Sequence, residues 1–233
     1  MNTRTEYRYD DKTGVYIGEQ TNTLTYRDKD FYPLPWCVLD KPEPPAGKIA
    51  VINSDKAAWE YKDDVSGAWY DTATGAEVML TAADYERDTS TLTRSKPGEF
   101  QKWNGSVWVD DIDALRAAKL AEISAGYTAE RTTANKGIIS AALGKAIDCR
   151  ESDVLNIQNL VTLLEASGTT TYFYKLKDNT DVDCTVAQIK VVLTEMIAAL
   201  LSMWTLKQTL TEQVNAATTA EEIQAIKWEW TQS

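Results

Sequence analysis

The stretch Phe100-Gln-Lys-Trp-Asn-Gly-Ser-Val-Trp-Val-Asp-Asp-Ile-Asp-Ala-Leu-Arg116 decides the fold. Asn104-Gly105 between alternating apolar residues is a strong short hairpin signal, because both central residues of a type I′ turn need φ > 0. A two-residue loop would set Trp103 opposite Ser106 and Gln101 opposite Trp108. Trp103 and Trp108 would then lie diagonally on one face, with Phe100, Val107 and Val109 on the other. The pattern then changes to a helical one that opens with Asp110, Asp111 and Asp113, where carboxylates meet the positive end of a helix dipole. The seam separates a strand-rich first half from a helix-rich second half.

Working outward, the first half consists of short strands and turns. Tyr7 and Tyr9 alternate into an Asp11–Gly14 turn and the run Val15-Tyr-Ile-Gly18. Five of the six prolines (Pro33, Pro35, Pro42, Pro44 and Pro45) fall between Tyr32 and Gly47, which marks an extended linker. Lys48–Asn53, Ala58–Lys62, Ala68–Tyr70 and Ala76–Leu80 read as a meander of antiparallel strands, and Asp84–Pro97 as loop.

Beyond the seam, a helix is predicted from about Asp111 to Arg131, with Leu120, Ile123 and Tyr127 on one face. Ser152 reads as the N-cap of a second helix carrying Val154, Ile157, Val161 and Leu164, which Gly168 ends. Thr169–Lys177 and Val182–Cys184 form one hairpin around Asp178-Asn179. Thr185-x-x-Gln188 is a capping box opening a long helix with Ile189, Leu193, Met196, Leu200 and Trp204 inward. Thr219-x-x-Glu222 opens a short last helix. No internal repeat stands out. The predicted class is α+β: a strand unit with proline-rich linker (1–46), a small antiparallel β domain (47–110) and a helical domain with one β-hairpin (111–233).

Composition narrows function. The chain has 233 residues, 43% hydrophobic residues and eight tryptophans, enough to bury a core without disulfides. Its net charge of −11 argues against nucleic-acid binding, which rests on neutralising phosphates. Cys37, Cys149 and Cys184 are odd in number and far apart, so they read as free thiols. There is no histidine, which removes the commonest general base and a usual zinc ligand. The start shows no signal-peptide pattern, and the most apolar run, Met196–Trp204, is short of the ~18 residues of a membrane span. A soluble cytoplasmic protein without membrane insertion is expected.

Asp63/Asp64 and Asp110/Asp111/Asp113 are the candidate carboxylate pairs for glycoside chemistry. The first sits in a turn and the second at a helix start, where Asp serves local hydrogen bonding. Asp178-Asn179-Thr-Asp181-x-Asp183 lacks the glycine and the glutamate of a calcium loop, where Asp183 and Ile189 stand instead. No catalytic residue, cofactor or metal site is expected. Trp59, Trp69, Trp103 and Trp108 are core candidates for a small β unit, and also candidate partner-binding anchors, since tryptophan is enriched at interfaces. Met196–Trp204 reads as a buried central helix, the alternative being a surface for a partner.

Several stretches together resemble the bacteriophage tail-fibre assembly proteins, a family of fibre chaperones. In order they are Tyr9-Asp-x-x-Thr-Gly14-x-Tyr-x-Gly18, Leu34–Pro45, Gly47-Lys-Ile-Ala-Val51, Trp59 with Asp64-x-x-Gly67, Tyr70-Asp-x-x-Thr-Gly75-x-x-Val78, Leu92-Thr93 with Pro97, and Phe100-x-x-Trp-Asn-Gly-x-x-Trp-Val109. From Leu115 the chain resembles a domain of unknown function common in such proteins. Lys119-Leu-x-x-Ile123, Asp153, Lys177-Asp-Asn-Thr180, Thr185-x-x-Gln188 and Ala217-Thr-Thr-x-Glu-Glu-Ile-x-x-Ile-x-Trp228 carry that resemblance. Asp64-Val-Ser-Gly67 lacks the His-Arg pair often found there, so no role of that pair transfers.

The resemblance implies a non-enzymatic helper, working in the host cytoplasm, that binds the distal part of a trimeric tail fibre and promotes its folding and trimerisation. Some relatives stay on the fibre tip. A permanent virion component that contributes to host recognition is the alternative, and a glycan-cleaving tail enzyme is the third class.

Overall fold

The computed structural model describes residues 2–23, 31–132 and 137–232. It separates into two compact units, Met1–Val109 and Asp110–Ser233, and the α+β class is as expected from the sequence.

The first unit is built of short antiparallel ladders. β1 (Thr3–Tyr9) lies between β2 (Tyr16–Thr23) and β3 (Cys37–Val38). β4 (Lys48–Ile52) pairs with β5 (Trp59–Asp63) from Lys48↔Asp63 to Ile52↔Trp59. A bridge between Val15 and Val51 ties the first sheet to the second. β6 (Gly67–Asp71) lies between β7 (Glu77–Leu80) and β8 (Leu92–Thr93). β9 (Gln101–Trp103) and β10 (Trp108–Asp110) close the unit as a hairpin.

Expectations change here: β8 lies within the Asp84–Pro97 stretch expected as loop, and β3 within the proline-rich segment. The strands are not one meander, because β5 and β6 do not pair. Asp64 gives its amide to the Gly47 carbonyl and accepts from the Ser66 amide, which turns the chain out of the β4–β5 ladder. The last hairpin does not use a two-residue type I′ loop. Gly105 has φ 102°, but Asn104 is not among the positive-φ residues. Four residues make the connection, closed by Asn104 N–H to the Val107 carbonyl (3.1 Å). The Asn104 side-chain oxygen accepts from the Ser106 and Val107 amides, both at 2.9 Å. An asparagine can replace a backbone carbonyl in this way, and the loop then needs no left-handed residue at that position.

Among the described residues, the most deeply buried side chain of this unit is a carboxylate. Glu6 is 0% exposed and accepts from Arg4, from Asn22 Nδ2 (2.8 Å) and from the Leu34 amide (2.7 Å). It thereby joins β1 and β2 to the proline-rich segment. Burial pushes its pKa up, and the hydrogen bonds from Asn22, Leu34 and Arg4 outweigh that push and leave it lowered.

The second unit has an apolar interior. α1 (Ile112–Thr132) is followed by β11 (Ile138–Ser140) and β12 (Lys145–Ile147), a second hairpin not anticipated from the sequence. Its strands are three residues each, too short to show alternation. α2 (Glu151–Ser167) begins one residue before Ser152, with Arg150 as N-cap, and Gly168 ends it at φ 69°. Arg150 is held there by Asp153, whose carboxylate accepts from the Arg150 amide and guanidinium, both at 2.9 Å. β13 (Thr171–Lys175) and β14 (Asp181–Thr185) form the expected hairpin. α3 (Val186–Ala216) and α4 (Ala220–Ala225) both start with the predicted capping boxes.

α3 is the centre of this unit. Ile189, Val192, Met196, Ala199 and Met203 are buried in a row, spaced by three and four residues. They pack on Val154, Val161 and Leu164 of α2 and on Ile138, Ile147 and Tyr174 of the hairpins. Trp204, expected inward, is exposed, because Met203 already holds the inward position one residue earlier. Arg116 of α1 donates to the Val214 and Ala217 carbonyls at the end of α3. By length and composition α3 is also long and apolar enough to cross a membrane, so the nine-residue reading of Met196–Trp204 understated it.

Candidate partner-binding site

The four tryptophans singled out above occupy three settings, all of them half-buried. Trp59 opens β5, edge-on to Tyr9 (6.4 Å) and Tyr16 (5.7 Å), and its indole N–H donates to the Asp40 carbonyl at 2.7 Å. Trp69, in the middle of β6, donates to the Val65 carbonyl at 2.6 Å. The Arg94 guanidinium lies 4.1 Å over its ring and donates to the Ser66 carbonyl, a cation–π contact the sequence did not disclose. Trp103 and Trp108 meet at 5.3 Å across the last hairpin, and Trp108 donates to the Ser95 carbonyl at 2.7 Å. The structure therefore brings Trp103 and Trp108 together and gives Trp59 and Trp69 their own neighbours. Each donor-bound indole has its polar edge fixed by backbone and part of its ring left to solvent.

The carboxylate clusters take local roles. Asp63 pairs with Lys48 across the β4–β5 ladder (2.7 Å), and Asp113 pairs with Arg116 (2.8 Å). Asp64 is held below the usual carboxylate range by hydrogen bonds from Ser66. Asp111 accepts from the Ala114 amide at the start of α1. Asp178 accepts from Thr180 in the β13–β14 turn, with Asn179 left-handed at φ 64°. All three thiols are buried, and burial pushes Cys149 up to about 12, far from a reactive thiolate. Among the described residues, no group of three or more Cys, Asp or Glu converges as a metal site would need.

The second unit adds apolar surface, part of it within Met196–Trp204, whose alternative reading was a surface for a partner. Ile197, Leu201 (60% exposed) and Trp204 (49%) lie on the outer face of α3, and Leu155, Leu163 and Phe173 are exposed on α2 and β13. Met196–Trp204 thus divides into a buried row and an exposed one. The spacing of 197, 201 and 204 by four and three residues carried that signal. A cavity of about 420 Å³ lies between α2 and β13, lined by Asp153, Ile157, Leu160, Tyr172 and Tyr174 among others.

Tryptophan is enriched at the centres of protein–protein interfaces, and larger exposed apolar patches mark interaction sites. Residues 114–227 match the family described as Domain of unknown function (DUF4376). The chain is 38% identical over 82 residues to the prophage tail fiber assembly protein homolog TfaR of Escherichia coli K12, covering 35% of this chain and 42% of the relative. Identity to the tail fiber assembly protein of Escherichia phage lambda is also 38% over 82 residues, with the same coverage. A longer match joins it to the homolog TfaE of Escherichia coli K12, 29% identical over 176 residues, 72% of this chain and 85% of that one. No solved structure matches. The chain spans about two fifths of the length of the first two relatives. The chain is thus similar to proteins named for tail fiber assembly, and the DUF4376 match falls in its second half.

Proposed function

We propose that this chain is a tail-fibre assembly chaperone: it binds the distal part of a trimeric phage tail fibre in the host cytoplasm and promotes its folding and trimerisation. The observation that carries the reading is the identity shared with proteins named for tail fibre assembly. The half-exposed Trp59, Trp69, Trp103 and Trp108 support it as anchors for such a partner. The need is physical: an intertwined fibre buries little until three chains align, and its open strand edges aggregate meanwhile. The reading assigns no catalytic step, no cofactor, no nucleic acid and no membrane insertion. The apolar row of α3 goes to the interior of its own unit.

Co-expression with the fibre gene is the test. Fibre should be soluble and SDS-resistant as a trimer with this chain present, and largely insoluble without it. A fibre that trimerises equally well alone rejects the chaperone role. Intact particles holding this chain in fixed ratio to fibre would then assign it to the virion.

A further inference from the structure

The first unit contains the same arrangement twice. Tyr9-Asp10-x-x-Thr13-Gly14 ends β1, and Tyr70-Asp71-x-x-Thr74-Gly75 ends β6. In each, the Asp Oδ1 accepts three times: from Lys12 N, Thr13 N and Thr13 Oγ1 (3.1, 2.9 and 2.9 Å), and from Ala73 N, Thr74 N and Thr74 Oγ1 (3.0, 2.8 and 2.9 Å). Each turn ends on a left-handed glycine, at φ 73° and 72°. Both tyrosines are buried.

Such turns are common singly, and the recurrence extends well past them. Each turn strand is the middle of a three-stranded sheet, β2-β1-β3 and β7-β6-β8. Each third strand runs into a matching segment, Val38-Leu-Asp-Lys-Pro42 and Thr93-Arg-Ser-Lys-Pro97. Each is followed by a hairpin whose loop opens on an asparagine, with the Asn53 and Asn104 side chains accepting two loop amides apiece. Each hairpin returns through a tryptophan that donates to the carbonyl two residues past the third strand. Trp59 reaches Asp40 and Trp108 reaches Ser95, both at 2.7 Å. The copies differ in that the Asn53 loop is longer and the third strand slips against the middle one by two residues. An even slip keeps every side chain on its face.

The same position in each copy also carries an exposed lysine, Lys41 and Lys96, held extended by the proline that follows. Two lysines within the strands of this unit are paired, Lys48 with Asp63 and Lys62 with Glu60. Lys41 and Lys96 have no carboxylate within salt-bridge distance among the described residues. In an acidic chain, an unpaired lysine kept beside a half-exposed tryptophan offers a carboxylate-bearing apolar surface something to bind.

We propose that residues 3–110 are two copies of one five-stranded module, and that the chain meets its partner twice through a tryptophan–lysine station repeated in each. The second half of this statement rests on the partner-binding reading above. The partner it fits presents the same acidic and apolar surface at two equivalent places, as a symmetric protein oligomer does.

The test uses the full chain and the fibre trimer. Trp59→Phe and Trp108→Phe keep an aromatic ring and remove the donor, and each should lower the melting point of the first unit by a comparable few degrees. A shift from one alone overturns the module. Lys41→Glu and Lys96→Glu should leave the melt unchanged and weaken fibre binding about three- to tenfold each, the double variant by the product. If neither reversal changes affinity, or one carries the whole loss, the two-station statement is overturned. If the unaltered chain does not bind fibre at all, the partner-binding reading fails and the station with it, while the melts still decide the module.

Discussion

The two units reach a stable interior by opposite means. In the second, the fully buried side chains are chiefly apolar: Ile123, Ile147, Ile189, Val192, Met196, Met203, Val214 and Ile223. In the first, the described side chain that is fully buried among the largest is Glu6, an ion held by directed hydrogen bonds. Helices present long apolar rows that fill a common core, whereas strands of two to eight residues with polar turns present shorter ones. The first unit adds to its smaller apolar interior the hydrogen bonds that backbone amides donate to the side chains of Asp10, Asp64, Asp71 and Asn104. Apolar burial is insensitive to pH, and carboxylate hydrogen bonds are not, so the units should fail under different stresses.

The largest effect is expected in the helical unit. Met196→Ala removes a fully buried side chain at the centre of α3 and should cost about 2–5 kcal/mol, read by urea unfolding followed through helix ellipticity. A cost near zero would mean that the α3 row is not the core. Next is Glu6→Ala, which strands the Asn22 and Leu34 donors and should cost roughly 1–3 kcal/mol, seen as a fluorescence transition that leaves helix ellipticity unchanged. Loss of helix in the same transition would show that the units do not unfold independently.

Acid should draw the contrast without mutation. Glu6, Asp10, Asp64, Asp71, Asp84 and Asp88 all have lowered pKa values, mainly from hydrogen bonds that the charged form accepts. A depressed folded pKa gives stability that is fully present above the unfolded value and lost as pH falls through the folded one. The first unit should therefore weaken as pH drops below the unfolded values of 4.5 for Glu and 3.8 for Asp. Among the described residues the helical unit holds fewer such groups, Asp178 and Glu222, and its melting point should fall less. Equal acid sensitivity of the two would falsify the contrast. The smallest effect is Gly168→Ala, where the C-cap needs φ 69° and the space is open, so about 1 kcal/mol of backbone strain should appear in the α2 unfolding transition.

The sequence by itself determined what short-range chemistry controls. The seam at residue 110, the capping boxes at Thr185 and Thr219, the Gly168 stop and the Asp178-Asn179 turn all depend on bonds between residues a few positions apart. The local roles of Asp64, Asp111 and Asp113 were legible for the same reason, whereas Asp63 pairs with Lys48, 15 positions away. Tertiary structure decided the rest, because those choices compare groups far apart in the chain. Glu6 reads as an ordinary strand residue until Leu34, 28 positions away, donates to it. Met203 and Trp204 are both apolar, and only the packing of α2 and the hairpins against α3 selects which faces inward. The β11–β12 hairpin is too short to announce itself. The kinship of Trp59 with Trp108 appears only when each indole finds its carbonyl, 19 and 13 residues away. Local propensity is a few tenths of a kcal/mol per residue, and long-range burial and directed hydrogen bonds exceed it wherever the two compete.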